Sequence, residues 1–341
     1  MTEKKIEWTR LGNSGLKISK IIIGFMSFGE KSWAEWVQED QEKIFEILKV
    51  AYDHGLRTYD TADFYSNGYS EIILGEFLKK YNIKRDKVVI LTKGFLPIDE
   101  EDAKYVKNGS INSNCWNDSR DFRKHIFDAI EGSVSRLGTY IDVYQIHRLD
   151  DTPKEEIMKA LNDVVDKGLT RYIGASSMRA VDFAELQFTA EKNGWHKFIS
   201  MQNYYNLLYR EEEREMIHYC KKTNVGLLPW SPQARGLLAR PSKQSTDRIK
   251  SDPTFKSLGL DNLTEIDQEM IKRVEDIAVK RNNSMSNIAT AWVLSKGTTP
   301  IIGFNSVDRV LEAVAASKIT LTEKELLYLE ELYIPQKVVG F

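Results

Sequence analysis

The chain switches repeatedly between two hydrophobic periods. Short runs rich in β-branched residues end at polar positions, and longer stretches with apolar residues at helical spacing follow them. The runs predict eight strands: Lys20–Met26, Arg57–Thr61, Val88–Lys93, Ile141–His147, Thr170–Ser176, Phe198–Asn203, Val225–Trp230 and Thr298–Ile302. The stretches between them, such as QEKIFEILKVAYDHG, SEIILGEFLKKY, KHIFDAIEGSVSRLG and KEEIMKALNDVVDKG, predict amphipathic helices. Several close on a glycine just past the last apolar position, as left-handed helix caps do. Thr152 and Pro153, followed by Glu155 and Glu156, predict a helix start with the threonine as cap and the proline in the first turn.

Strands that alternate with helices pair in parallel through right-handed crossovers. Eight such units without a Pro/Gly/Ser-rich divider predict one α/β domain over residues 1–341, a single (β/α)8 TIM barrel. Two connections are long, Gly94–Phe122 after the third strand and Ala234–Asn262 after the seventh. Both rise from the C-terminal face, where such barrels hold their active sites, and long ordered connections are usually functional. The first carries Phe95, Leu96, Pro97, Tyr105, Ile111 and Trp116 and is expected to wall a substrate pocket. The second carries Arg235, Arg240, Lys243, Arg248 and Lys250 and is expected to grip a pyrophosphate.

Composition narrows the function. Lysine plus arginine number 48 and aspartate plus glutamate 50, a net charge of −2 that argues against nucleic acid as a partner. The apolar runs are strand-sized, so no membrane span is expected, and the charged start MTEKKIEWTR lacks a signal peptide's apolar core. Cys115 and Cys220 stand far apart, and the five histidines form no cluster, so neither a disulfide framework nor a metal is expected. The expected protein is cytoplasmic, a monomer or weak homo-oligomer.

The chemistry lies in where the unusual polar residues fall. Asp60 ends the second strand with Tyr65 just beyond it, Lys93 ends the third, and His147 ends the fourth. Singly, each has a plainer reading: a satisfied structural histidine, or an ion pair and nothing more. Their convergence on adjacent strand ends points to proton transfer at a carbonyl oxygen. A phenol beside an ammonium yields its proton more readily, a carboxylate keeps the ammonium charged, and a neutral imidazole orients the oxygen. Ser176 and Ser177, Gln202 with Asn203, and Trp230 with Ser231 and Pro232 end the next three strands. They offer small hydroxyls, an amide and an indole face. Gly303 ends the eighth at the start of a helix, with Arg309 one turn in, a pattern suited to phosphate.

These residues also carry a resemblance. YDTADFYSNGYSE, LTKG, DVYQIHRLD, IGASS, MQNYYN, LLPWSPQARGLL and PIIGFNSVDRV together resemble the aldo-keto reductases across nearly the whole chain, and HRLDDTP and WSPQARGLLARP resemble their fungal aryl-alcohol dehydrogenase-like branch. The resemblance implies NADPH bound across the barrel mouth and a small-molecule carbonyl substrate. It implies Tyr65 as general acid, Lys93 and Asp60 as the pair that tunes it, and His147 as the residue that positions the substrate. It implies a cofactor held by Phe25, Met26, Asp60, Ser176, Ser177, Gln202, Trp230, Ser231, Pro232, Gln233, Ala234, Arg235, Gly236, Leu238, Gly303, Asn305, Ser306 and Arg309. Within that set, Ser176 and Gln202 would meet the carboxamide, Trp230 the ring and Arg309 the 2′-phosphate. Ser177 stands where many members have asparagine. Two alternatives remain open here: a lyase using Lys93 as Schiff-base nucleophile, and a non-catalytic nucleotide-binding subunit of the same fold, as in the potassium-channel β subunits.

Overall fold

In a computed structural model, residues 5–98, 122–241 and 251–340 are described. An antiparallel hairpin, β1 (Trp8–Arg10) and β2 (Lys17–Ser19), precedes the eight predicted strands: β3 (Ile22–Gly24), β4 (Thr58–Asp60), β5 (Val89–Gly94), β6 (Ile141–Ile146), β7 (Thr170–Ser176), β8 (Phe198–Gln202), β9 (Gly226–Leu227) and β10 (Ile301–Gly303). These eight pair in parallel in the order β10-β3-β4-β5-β6-β7-β8-β9. The two ends of that order meet where Thr299 N donates to Leu227 O and Ile301 N donates to Pro229 O, both at 2.9 Å. The sheet is thereby closed, as in a (β/α)8 barrel.

Helices α1 (Gln41–Asp53), α2 (Tyr69–Lys80), α3 (Arg123–Leu137), α4 (Lys154–Asp166), α5 (Ala180–Asn193) and α6 (Met216–Thr223) make the crossovers between successive strands. Helix α1 shows why these segments are helical. Asp40 caps it by accepting from Lys43 N, its apolar stripe buries Ile44, Phe45, Ile47, Leu48 and Ala51 against the sheet, and Gly55 at φ 90° ends it. Gly138 and Gly194, both at φ 67°, end α3 and α5 as expected. The expected start of α4 shifts by one residue. Pro153 is itself the cap position, with no side-chain acceptor, and Thr152 N is taken by Asp150 Oδ1 at 2.9 Å.

The barrel interior has two ends of opposite character. At the N-terminal end, Leu11 and Ile18 of the hairpin pack with Ile22, Val89, Leu91, Val143, Ile199, Leu228 and Ile301. Gly12 sits so close to the barrel floor at φ 58° that a Cβ would lie 2.5 Å from Asn224 O. This plug leaves the C-terminal end for polar groups. No helix among the described residues is long and apolar enough to cross a membrane.

Candidate active site

Strand period decides what enters the barrel mouth. Asp60, Lys93, Gln145 and Gln202 come from β4, β5, β6 and β8, and all four are buried. Lys93 Nζ donates to Asp60 Oδ2 at 2.6 Å and to Thr61 O at 2.8 Å, and lies 3.3 Å from the Tyr65 hydroxyl. Burial works against its charge, but Asp60 and the Tyr65 hydroxyl outweigh burial, so its pKa stands above the ordinary lysine value. Asp60 Oδ1 accepts from Gln145 Nε2 at 3.0 Å and Gln202 Nε2 at 2.9 Å. The buried ion pair is therefore hydrogen-bonded on both sides, the condition under which such a pair persists in a core.

Tyr65 reaches this network from a strained turn. Ser66, Asn67 and Gly68 follow it at φ 49°, 53° and 90°. Asparagine and glycine tolerate that left-handed region, whereas serine does so at a cost. The turn is fastened by Glu30 N donating to Ser66 Oγ at 3.1 Å, and by Gly29, where a Cβ would collide with that same oxygen. His147 follows β6 and packs edge-on to the Tyr65 ring, with centroids 5.8 Å apart. Burial, then Lys93 and Arg148, push its pKa well below the usual histidine range, so it is a neutral imidazole.

Asp60, Tyr65 and His147 border a cavity of about 690 Å³ across the barrel mouth. Phe25, Met26, Ser176, Ser177, Gln202, Trp230, Ser231, Pro232, Gln233, Arg235, Gly236, Gly303, Asn305 and Arg309 all line it, as do Asp60, Tyr65 and His147. Lys93 lies behind Tyr65, fully enclosed. Ala234 and Leu238 are turned into the core, and Ser306 is used as the cap of the following helix. Gln202 commits its amide nitrogen to Asp60 and to Gln145 Oε1, which leaves its oxygen as the group to offer a ligand. Ser176 Oγ donates to Gln202 O, and Trp230 Nε1 donates to Ser177 Oγ at 3.1 Å. One face of Trp230 is stacked on Tyr204 at 4.6 Å, so a ligand has only the other.

The second long connection departs from expectation. Arg235 is buried in an ion pair with Asp252, its Nε 2.9 Å from the carboxylate, so its charge is already matched. Arg240 instead lies beside Arg309 in an adjoining cavity of about 540 Å³, where burial and the Arg309 charge hold its pKa down. Two neighbouring guanidiniums, one partly buried and the other paired with Glu312 at 2.6 Å, suit a dianion. Lys243, Arg248 and Lys250 lie outside the described residues, as do Tyr105, Ile111 and Trp116 of the first connection, of which Leu96 alone reaches the cavity wall among the described residues.

Residues 20–334 match the Aldo/keto reductase family. The chain belongs to it. A Saccharomyces cerevisiae protein bearing the name aryl-alcohol dehydrogenase AAD16 is 60% identical over 336 residues, covering 97% of this chain and 98% of its own. Versiconal hemiacetal acetate reductase of Aspergillus parasiticus is 51% identical over 339 residues, covering 98% of each. An aldo-keto reductase of Fusarium vanettenii is 46% identical over 351 residues, covering 100% of this chain and 94% of its own. The protein is thus an oxidoreductase of a family that acts on small carbonyl compounds and generally uses NADP(H).

In this aldo-keto reductase, several residues in or behind the pocket wall were not singled out by the sequence. Gln145 was legible in principle, since Val143, Gln145 and His147 share one strand face and the middle one is polar. Trp36 and Phe64 line the cavity, with Trp33 packed on Trp36, Phe64 and Tyr65 at 5.9, 5.6 and 6.4 Å. Arg148 joins them next to His147.

Proposed function

We propose that residues 1–341 act as one barrel that reduces aromatic aldehydes and ketones with NADPH, and in reverse oxidises aryl alcohols. The observation that carries this reading is the Asp60–Lys93–Tyr65 array, 2.6 and 3.3 Å between its successive polar atoms, at a cavity walled by Trp36 and Phe64. When bound, the nicotinamide supplies the hydride. Tyr65 gives its hydroxyl proton to the carbonyl oxygen as that oxygen gains charge, and the Lys93 ammonium stabilises the phenolate left behind. Asp60 keeps Lys93 protonated, and neutral His147 directs an N–H to the same carbonyl oxygen. Ser176, the Gln202 oxygen and the open face of Trp230 would hold the nicotinamide end. Arg240 and Arg309 would meet the 2′-phosphate, and the paired guanidiniums fit that group. A Schiff base at Lys93 is disfavoured, because an ammonium held by three oxygen atoms has no lone pair to attack with.

The test is a panel of aryl aldehydes followed by nicotinamide absorbance in the parent chain and in Tyr65→Phe. The substitution is expected to lower kcat by about 100-fold or more, the usual share of general acid catalysis, with cofactor Kd nearly unchanged. Undiminished turnover in Tyr65→Phe removes Tyr65 from the mechanism.

A further inference from the structure

Four enclosed arginines of the fold are each matched by a carboxylate. Arg136 pairs with Glu71 at 2.7 Å, Arg85 with Asp142 at 2.6 Å, Arg210 with Glu213 at 2.8 Å, and Arg235 with Asp252. Arg148 is not. It follows His147 at the end of β6 and borders the same cavity as Tyr65, Trp36 and Phe64. Among the described residues its one hydrogen bond runs from an Nη to Gly340 O, at 2.7 Å, and no carboxylate forms an ion pair with it. Burial lowers its pKa, with Tyr65 opposing that as the neighbouring titratable group.

An enclosed charge without a counter-ion is unfavourable, and a pocket wall is where a ligand can supply one. A guanidinium presents five N–H donors in a fork that matches the two oxygens of a carboxylate. The Gly340 carbonyl occupies one acceptor position of that fork and shows that an oxygen can sit there. We propose that Arg148 is a substrate-recognition residue, and that the favoured substrates are aromatic aldehydes or ketones bearing a carboxylate away from the reacting carbonyl. The aromatic walls take the ring, Tyr65 and His147 take the carbonyl, and Arg148 takes the anion. This rests on the reductase reading above.

Two measurements separate the proposal from that reading. The first compares kcat/KM for 4-formylbenzoate and its methyl ester in the parent chain, Arg148→Met and Arg148→Lys. The parent is expected to prefer the carboxylate. In Arg148→Met the preference should fall by about 10- to 150-fold, mainly through KM, and Arg148→Lys should restore part of it. The second titrates benzoate, which cannot react, by tryptophan quenching; Arg148→Met should weaken it by about 10-fold or more while the thermal midpoint and cofactor Kd stay near the parent values. Loss of turnover on acid and ester alike, with benzoate binding intact, means that Arg148 acts through Tyr65 and overturns the proposal. A parent chain that prefers the ester overturns it too. A parent chain that binds benzoate through Arg148 yet reduces neither aldehyde leaves the anion site standing and sinks the reductase reading.

Discussion

Removing one half of the Asp60–Lys93 pair tests the centre of the site without needing a substrate. Both side chains are almost wholly enclosed, and Nζ and Oδ2 are 2.6 Å apart. In Asp60→Asn the ammonium keeps Thr61 O and the Tyr65 hydroxyl but loses its only counter-charge in this network, and stranding a buried charge costs about 3–5 kcal/mol. In Lys93→Met the carboxylate keeps the Gln145 and Gln202 amides, and the loss should fall in the same range of about 3–5 kcal/mol. Independent losses would sum to about 6–10 kcal/mol, which few domains survive. The double variant strands no charge, so its loss should be no larger than that of either single variant, giving a coupling of about 3 kcal/mol or more. Urea unfolding of the four proteins at pH 7, followed by tryptophan fluorescence, measures it. The pH dependence supplies a second reading. Lys93 has a folded pKa above its unfolded value of 10.5, so its contribution is full below pH 10.5 and disappears as pH rises through the folded value. Additivity of the two single losses within about 0.5 kcal/mol would refute the coupled-pair reasoning.

Two further outcomes are expected elsewhere in the site. Arg240→Ala should weaken NADPH by about 10- to 150-fold and hardly alter NADH, since only the former carries the 2′-phosphate; equal weakening in a two-cofactor titration would assign Arg240 to the fold. His147 is held neutral in the folded state, so the unfolded chain alone takes up its proton as pH drops below 6.5, and stability should fall by up to about 1.4 kcal/mol per pH unit there. His147→Gln should flatten that slope, and an identical slope in the variant would mean that the ring is protonated in the fold.

The eight strands were legible because buried parallel strands need continuous β-branched runs, and the eight runs stand clear of the helical periodicity. Their ends were less so. The run Val225–Trp230 is a regular strand only over Gly226 and Leu227; Leu228 N and Trp230 N still donate to Met201 O and Asn203 O, but Pro229 between them has no N–H for a continuous ladder. The β1–β2 hairpin went unread because RLGNSGLKIS contributes Leu11 and Ile18 to the plug from among polar neighbours, too sparse to show a period. The tetrad was legible because each member closes a strand or follows one closely. The pairing of Arg235 with Asp252 was not, because an ion pair between loop positions 17 residues apart follows from tertiary placement and leaves no local pattern. Ser177 shows a third case. Its φ of 50° is a left-handed conformation that costs a serine and that no local pattern announces, and its hydroxyl accepts from Trp230 Nε1, a use that offsets part of the strain.

The division of the barrel interior into an apolar plug and a polar mouth predicts that stability and activity can be separated by position. Leu11 is fully enclosed in the plug, and Leu11→Ala should cost about 2–5 kcal/mol by leaving a cavity. Leu11 packs within the plug and takes no part in the hydrogen-bond network of Asp60, Lys93, Gln145 and Gln202, so the turnover of folded molecules should be close to that of the parent. Gln145→Leu changes a side chain of similar size at the other end and removes one of the two amides that hold Asp60 Oδ1. A hydrogen bond to a charged acceptor is worth about 1.5–3 kcal/mol, so its stability loss should be the smaller of the two. Its effect on kcat should be the larger, about 10-fold or more, because Asp60 sets the position of Lys93 and through it the Tyr65 hydroxyl. Gln145 is a positioning residue on this reading: kcat should fall while cofactor Kd and KM move little. Measuring unfolding free energy and kcat for both variants decides it. If kcat falls in proportion to stability in both, the network merely holds the barrel together, and the amides around Asp60 have no separate part in placing the proton donor.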